Sequence, residues 1–150
     1  MPQSLADVLV HLIFSTKNRA QLIQPEIEDE LYRYLASVCR GCGCAAHQIG
    51  GTEEHVHVAC SLSRTITLSK LLEEIKKRSS KWIKTKGSRY ASFAWQNGYG
   101  AFSIGRSQLS ALERYIARQH EHHRHKTFQE EFREFLQKYQ IEYDERYVWD

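Results

Sequence analysis

The chain has little of what marks a linker, a membrane span or a secreted protein. Only 2 of its 150 residues are proline and 8 are glycine, which argues against long disordered linkers. Its longest apolar stretches have the length of a β-strand, so the sequence offers no transmembrane helix. It also lacks a charged N-terminal segment followed by an apolar block, the pattern of a secretory signal. We therefore expect one globular domain over residues 1–150, cytoplasmic and without a membrane partner.

A strong excess of charge is missing too. The net charge of +3 is too small to identify a nucleic-acid-binding protein by itself. However, residues 64–90 carry nine lysines and arginines against only Glu73 and Glu74. Part of this charge can pair at helical spacing and form an ordinary solvated face. The unbalanced remainder indicates a local anionic partner.

The four cysteines do not form a strong metal-binding pattern. Cys39, Cys42 and Cys44 follow a C-x2-C-x-C spacing, and Cys60 stands apart. A second C-x2-C pair or an H-x3-H pair, which would make a structural zinc site convincing, is absent from the sequence. Reduced thiols at a helix end and in strands are the favoured interpretation, and a structural zinc is the alternative.

The hydrophobic pattern predicts an α+β fold. Alternating and helical periodicities follow the order β-α-β-β-α-β, which is the ferredoxin-like arrangement of a four-stranded antiparallel sheet with two helices on one face. Two additional C-terminal helices come after it, begun by Ser107 and by a Thr127–Glu130 capping box. The predicted elements are strands at 7–15, 45–49 and 55–62, helices at 25–38 and 68–83, a fourth strand within the aromatic segment 93–104, and helices at 107–123 and 127–139.

The most informative local feature is the triplet His55-Val56-His57. Alternate side chains of a strand share a face, so both imidazoles would project from one face and Val56 from the other. Two neutral imidazoles held close by rigid backbone make half of a divalent-metal site. Taken alone, the triplet favours ordinary strand histidines over a metal site, so a metal-binding interpretation depends on a third ligand.

That third ligand can come from the helix that Ser107 begins. Tyr115 and Gln119 are four residues apart and would lie on one face of this helix. Two imidazoles and an amide oxygen would give three neutral ligands with open positions, a set that suits Mg²⁺ or Mn²⁺ with a phosphate oxygen and water. The Tyr115 phenol, one turn away, would be the nucleophile, although a phenol with a pKa of about 10 attacks poorly without charge stabilisation.

At this point the chain resembles the single-tyrosine HUH transposases, the small insertion-sequence and REP-associated tyrosine transposases that act on single-stranded DNA. Five segments carry the resemblance in the order of that family, and they span nearly the whole chain. They are FSTKNR at 14–19, HVH at 55–57, WQNGYGAFS at 95–103, YIARQ at 115–119, and HH with TF at 122–128.

The resemblance implies a specific chemistry. His55, His57 and Gln119 would bind a divalent metal, Mg²⁺ or Mn²⁺, and Tyr115 would attack the scissile phosphate. Nicking would leave a 5′-phosphotyrosine and a free 3′-hydroxyl, and the stored phosphodiester would later be rejoined. The resemblance also implies a homodimer with shared active sites and single-stranded DNA recognised as a hairpin.

Other residues are candidates of lower specificity. The cluster His120, His122, His123 and His125 could ligate metal, contact phosphate, or simply favour a helix C-terminus, and His122 is the best candidate for active-site support because it continues the Tyr115 face. Candidate contacts to the DNA backbone are Lys17, Arg19, Lys70, Lys77, Lys81 and Lys84. Two rival functions stay open, a nucleic-acid-binding module without catalysis and a metal-dependent phosphodiesterase that uses water.

Overall fold

The computed structural model describes residues 2–150 as four strands and five α-helices joined by turns and loops. In chain order they are β1 (Leu9–Ser15), α1 (Pro25–Gly41), β2 (Ala46–Gly51), β3 (His55–Ser61), α2 (Leu68–Lys84), β4 (Gly100–Ile104), α3 (Leu109–Ala117), α4 (Gln119–His122) and α5 (Phe128–Lys138). Within residues 2–150, every helix is too short or too polar to cross a membrane.

The four strands form one antiparallel sheet in the order β2-β3-β1-β4. Both connections that contain a helix skip a neighbouring strand, as the ferredoxin-like arrangement requires. The central pairing of β1 with β3 sets Ile13 opposite His57 and Ser15 opposite His55. The predicted fold class is therefore confirmed.

The two faces of the sheet have different partners. Val56 and its alternating neighbours pack with the apolar stripes of α1 and α2 in the larger core. On the other face, Ile13 contacts the aromatic side chains of α5, and Ala59 contacts Ile116 of α3. The period of two along β3 thus places the two histidines of the triplet on the face covered by the C-terminal helices.

Some boundaries differ from the sequence prediction. β1 begins at Leu9 because Asp7 is exposed and pairs with Arg106 at 2.8 Å. β2 continues to Gly51, beyond the predicted end at Ile49.

The helix predicted over 107–123 is also interrupted. It starts as a 3₁₀ turn at Arg106–Gln108 and breaks at Arg118, whose φ of −108° and ψ of 25° are not helical. The break turns Gln119 towards the sheet, where its side chain contacts His55. Tyr115 and Gln119 therefore reach the same site from two short helices and not from one continuous face.

Helix α3 lies very close to the sheet at Gly50. A Cβ atom built on Gly50 would lie only 2.5 Å from the carbonyl oxygen of Ile116, the residue after Tyr115. A side chain at this position would therefore push α3 away from β2. The absence of a side chain at residue 50 helps to fix the position of Tyr115 over the histidine pair.

Candidate metal centre and tyrosine

His55 and His57 lie side by side beneath the C-terminal helices. Both are fully buried, and their ring centroids are 5.1 Å apart. Burial lowers the pKa of the His55 imidazole well below its usual value, and the neighbouring His57 lowers it further. A neutral imidazole is the form that binds metal, so the environment of His55 favours ligation.

The second ring nitrogen of each histidine is already held. Nδ1 of His55 lies 2.9 Å from the Thr52 hydroxyl, and Nδ1 of His57 lies 2.8 Å from Nε2 of His11. A hydroxyl or a neutral imidazole can donate or accept, so both partners allow the ring proton to sit on Nδ1. If an ion replaced the hydrogen bonds that Nε2 of His55 and Nε2 of His57 make to Gln119 and Glu131, the two Nε2 lone pairs could face it, and the outer partners would fix the ring orientations.

Glu131 enters this site from α5, and the sequence reasoning missed it. Its Oε1 atom lies 3.0 Å from Nε2 of His57 and 3.7 Å from Nε2 of His55. The three residues are buried, and one ligand atom from each lies within 4.8 Å of the others, a spacing that could hold a metal ion. The missed signal was an acidic residue at position 131 within the apolar stripe of Phe128 and Phe132.

Glu131 is held in its charged form. Burial by itself would raise the pKa of this carboxyl, but hydrogen bonds from His123 and His57 outweigh burial and keep the pKa well below its usual range. A buried ionised carboxylate is stable only with such compensation. Its presence changes the expected ligand set from three neutral groups to a set that carries one negative charge.

Gln119 and His123 complete the group of converging atoms. The Gln119 amide oxygen lies 2.9 Å from Nε2 of His55 and 3.1 Å from Nε2 of His123. The amide nitrogen of Gln119 donates to Oε2 of Glu131 at 3.2 Å. The structure therefore brings the predicted residue Gln119 to the histidine pair, and it adds His123 beside it.

Tyr115 is joined to the same cluster through Glu131. The phenol hydroxyl donates a hydrogen bond to Oε2 of Glu131, and the Tyr115 ring centroid lies 5.9 Å from that of His57. Burial and the charge of Glu131 raise the pKa of the phenol above its usual value. The tyrosine is thus a neutral phenol placed one carboxylate away from the candidate metal ligands.

Comparisons with known proteins identify the family of the chain. The family described as "Transposase IS200 like" matches residues 4–119, more than half of the chain. The chain belongs to the IS200-like transposase family. The resemblance to the single-tyrosine HUH transposases is thereby confirmed, while Glu131 lies beyond the matched residues.

Two solved structures share the fold of this transposase. A protein from Deinococcus radiodurans R1, provisionally described as a transposase, is 18% identical with a TM-score of 0.62, over 79% of this chain and 98% of that one. A REP-associated tyrosine transposase bound to a REP hairpin is 16% identical with a TM-score of 0.56, over 79% of this chain and 70% of that one. At these identities the likeness concerns the fold. Among curated proteins, none matches this transposase at a significant level.

The histidine cluster of the transposase divides between site and surface. His122 stacks on Tyr115 with ring centroids 4.6 Å apart, and His123 contacts Glu131 at 3.3 Å. In contrast, His120 is exposed and pairs with Glu28 at 2.6 Å. His122 therefore lies beside Tyr115, where a residue that supports the active site was expected. His120 lies at the surface, away from the candidate site.

The predicted DNA-contacting residues lie in two places, after the end of β1 and on α2. Lys17 lines a cavity with Trp95 and Trp149, and the guanidinium of Arg19 lies 5.7 Å from the Trp149 ring. Helix α2 packs on the opposite face of the sheet from the histidine pair. Its lysines 70, 77, 81 and 84 are all exposed, and Lys70 pairs with Glu74 at 3.2 Å. The exposed lysines of α2 therefore lie on a different side of the sheet from the histidine pair.

The cysteines lie in the other half of the transposase. Cys39, Cys44 and Cys60 are buried in the core beneath α1, and Cys42 is partly exposed. All four are free thiols.

Proposed function

We propose that this transposase is a metal-dependent nickase and strand transferase that acts on single-stranded DNA, with residues 1–150 working as one catalytic domain. The observation that carries the proposal is the connection through Glu131. One of its oxygens accepts the Tyr115 hydroxyl, and the other lies 3.0 Å from Nε2 of His57. A nucleophile and a set of metal ligands are thus joined by one carboxylate, in a member of a transposase family.

The residues that would hold the metal are His55, His57, Gln119 and Glu131. Two imidazole nitrogens and two oxygens fit a divalent cation, and the oxygens favour Mg²⁺ or Mn²⁺. The outer contacts of Thr52 and His11 fit the same role because they can fix the ring protons on Nδ1. When bound, such an ion polarises a phosphodiester and offsets the charge that develops on it.

Tyr115 would form the covalent intermediate. Its hydroxyl oxygen bonds to phosphorus while the bond from phosphorus to the 3′ oxygen breaks. The phenolic proton is released to solvent as the new bond forms, and the departing oxygen takes up a proton to become a 3′-hydroxyl. Glu131 positions the phenol through their hydrogen bond. One phosphodiester is exchanged for one phosphotyrosine ester, so a later attack by a 3′-hydroxyl can rejoin strands without an external energy source.

The substrate in this proposal is single-stranded DNA that carries a hairpin. The support is the similar fold of the REP-associated tyrosine transposase bound to a REP hairpin, together with the exposed basic face of α2. Phosphate contacts from Lys77, Lys81 and Lys84 would supply affinity without reading sequence. Lys17 and Arg19 would contact the strand at the end of β1. A cytoplasmic location is part of the same proposal.

Each active site is proposed to form within one chain. The family resemblance implies a homodimer that shares sites, yet Tyr115 and His57 of a single chain are already joined through Glu131. A second copy could still dimerise without contributing a residue to the chemistry.

A denaturing gel separates this proposal from its rivals. The wild type and Tyr115→Phe would each be incubated with hairpin-bearing single-stranded DNA and Mn²⁺. We expect a covalent protein–DNA adduct that is lost in Tyr115→Phe. Cleavage without an adduct would identify a phosphodiesterase that uses water, and DNA retention without cleavage would identify a binding module.

A further inference from the structure

A basic cleft opens beside Tyr115 on the side of the helix break. It has a volume of about 310 Å³ and is lined by Tyr115, Arg118, Glu121, His122, His125 and Lys126. None of these residues except Tyr115 belongs to the proposed chemistry. Beside Tyr115 the cleft therefore has two permanent cations, two imidazoles and one acidic side chain, that of Glu121.

The local backbone explains why these side chains gather. After the break at Arg118, the His122 amide donates to the Arg118 carbonyl at 3.0 Å, and the His125 amide donates to the His122 carbonyl at 3.2 Å. These successive tight turns keep the segment folded back around Tyr115. Lys126 closes the far side, where it pairs with Glu134 at 2.6 Å.

Two observations indicate that the cleft takes a ligand. The Nε2 atom of His122 is shielded from solvent and has no hydrogen-bond partner within residues 2–150. A buried polar atom without a partner is costly, and native structures seldom keep one without a reason. In addition, Arg118 is exposed and forms no ion pair with any described residue, so its guanidinium is available to an outside anion.

We propose that this cleft binds a backbone phosphate of the DNA strand, next to the phosphate that Tyr115 attacks. This inference rests on the proposed function. Arginine binds phosphate with two parallel hydrogen bonds, and imidazole N–H groups can add a third contact. The Lys126–Glu134 pair is half-exposed and weak, so Lys126 can exchange Glu134 for phosphate. Because Tyr115 forms a wall of the cleft, a phosphate held there guides the strand past its hydroxyl.

The test measures binding without chemistry. The affinity of a thymidine dodecamer would be measured by fluorescence anisotropy without divalent metal at several salt concentrations. Arg118→Gln should weaken binding about fivefold and reduce the salt slope by about 0.7, the value for one phosphate contact to a single strand. Arg114→Gln is the matched control, because Arg114 is an exposed arginine one turn earlier that does not line the cleft. Glu121→Gln should strengthen binding, because it removes the only negative charge from the lining.

Equal weakening in Arg118→Gln and Arg114→Gln would overturn the proposal, and so would unchanged affinity in Glu121→Gln. A cleavage assay adds a second readout. Arg118→Gln should raise KM for the DNA, whereas an unchanged KM would contradict a binding role. If the binding results are as expected but neither the wild type nor any variant forms an adduct, the phosphate site is supported and the proposed nicking activity is contradicted.

Discussion

Nε2 of His57 lies 3.0 Å from Oε1 of Glu131, although 74 residues separate the two in the chain. This contact joins the central strand of the sheet to the last helix, and it makes α5 part of the candidate metal centre. The family match ends at Gln119, so the contribution of Glu131 is a property of the C-terminal part of this transposase.

The first prediction concerns Glu131 as a metal ligand. Glu131→Gln keeps the shape of the side chain but removes its charge, so Mn²⁺ affinity should fall about tenfold or more. Isothermal titration calorimetry would measure this. Glu130→Gln is the control, because Glu130 is the exposed neighbour on the same helix. Equal Mn²⁺ affinity in Glu131→Gln and wild type would exclude Glu131 from the ligand set.

The second prediction concerns the close approach of α3 to β2. Gly50→Ala would place a methyl group 2.5 Å from the Ile116 carbonyl oxygen, so α3 must shift and carry Tyr115 with it. We expect a loss of about 1–3 kcal/mol in the free energy of unfolding, with slower cleavage by the folded protein. Gly41→Ala meets no atom within 4 Å and should neither destabilise the protein nor slow cleavage. Unchanged cleavage in Gly50→Ala would show that the position of α3 does not limit the reaction.

The third prediction is that stability falls in mild acid. Burial lowers the pKa of both His11 and His55 from the usual value of 6.5, so the unfolded chain binds protons that the folded chain does not. The stabilisation that comes from keeping these two histidines neutral is complete above pH 6.5. As the pH falls below 6.5, the free energy of unfolding decreases by up to about 1.4 kcal/mol per pH unit for each histidine. Below 4.5 the lowered pKa of Glu131 adds a loss in the same direction.

Urea unfolding in the presence of a chelator would measure this from about pH 8 to about pH 5. The slope should be shallower in His11→Asn, because this variant lacks one of the two buried imidazoles with a lowered pKa. Stability that rises on acidification would contradict the assignment of buried neutral histidines.

The fourth prediction concerns the number of chains in one active site. Tyr115→Phe and His57→Ala are each expected to be inactive, and mixing them should restore no cleavage if each site forms within one chain. Size-exclusion chromatography with light scattering would establish separately whether the variants form mixed dimers. Recovery of cleavage in the mixture would mean that the tyrosine of one copy serves the histidines of another.

Much of this fold follows from local patterns in the sequence. The alternation in His55-Val56-His57 predicted which side chains share a face, and the structure has Val56 in the core with α1 and α2 and both histidines on the other side. Thr127 caps α5 as its capping-box pattern predicted, since its hydroxyl accepts from the Glu130 amide at 3.1 Å. Periodicity and capping are local, so a single sequence reveals them.

The parts that the sequence did not reveal depend on tertiary contacts. No proline or glycine near Arg118 predicts the break between α3 and α4. The break is explained by the contact between Gln119 and His55, which lies on a strand distant in the sequence. The position of Glu131 within the apolar stripe of α5 was a local signal of burial, but nothing local indicates that α5 packs over the histidines. His11 likewise became a partner of His57 only through the pairing of β1 with β3.

The most direct test of the central claim is to identify the residue that becomes linked to DNA. After reaction with hairpin-bearing single-stranded DNA and Mn²⁺, nuclease and trypsin digestion would be followed by mass spectrometry. Cleavage after Arg114 and Arg118 releases the peptide Tyr115–Arg118, whose one hydroxyl side chain is the tyrosine. The account predicts a nucleotide phosphate on this peptide. A nucleotide on any other peptide, or nicked DNA with no modified peptide, would contradict it.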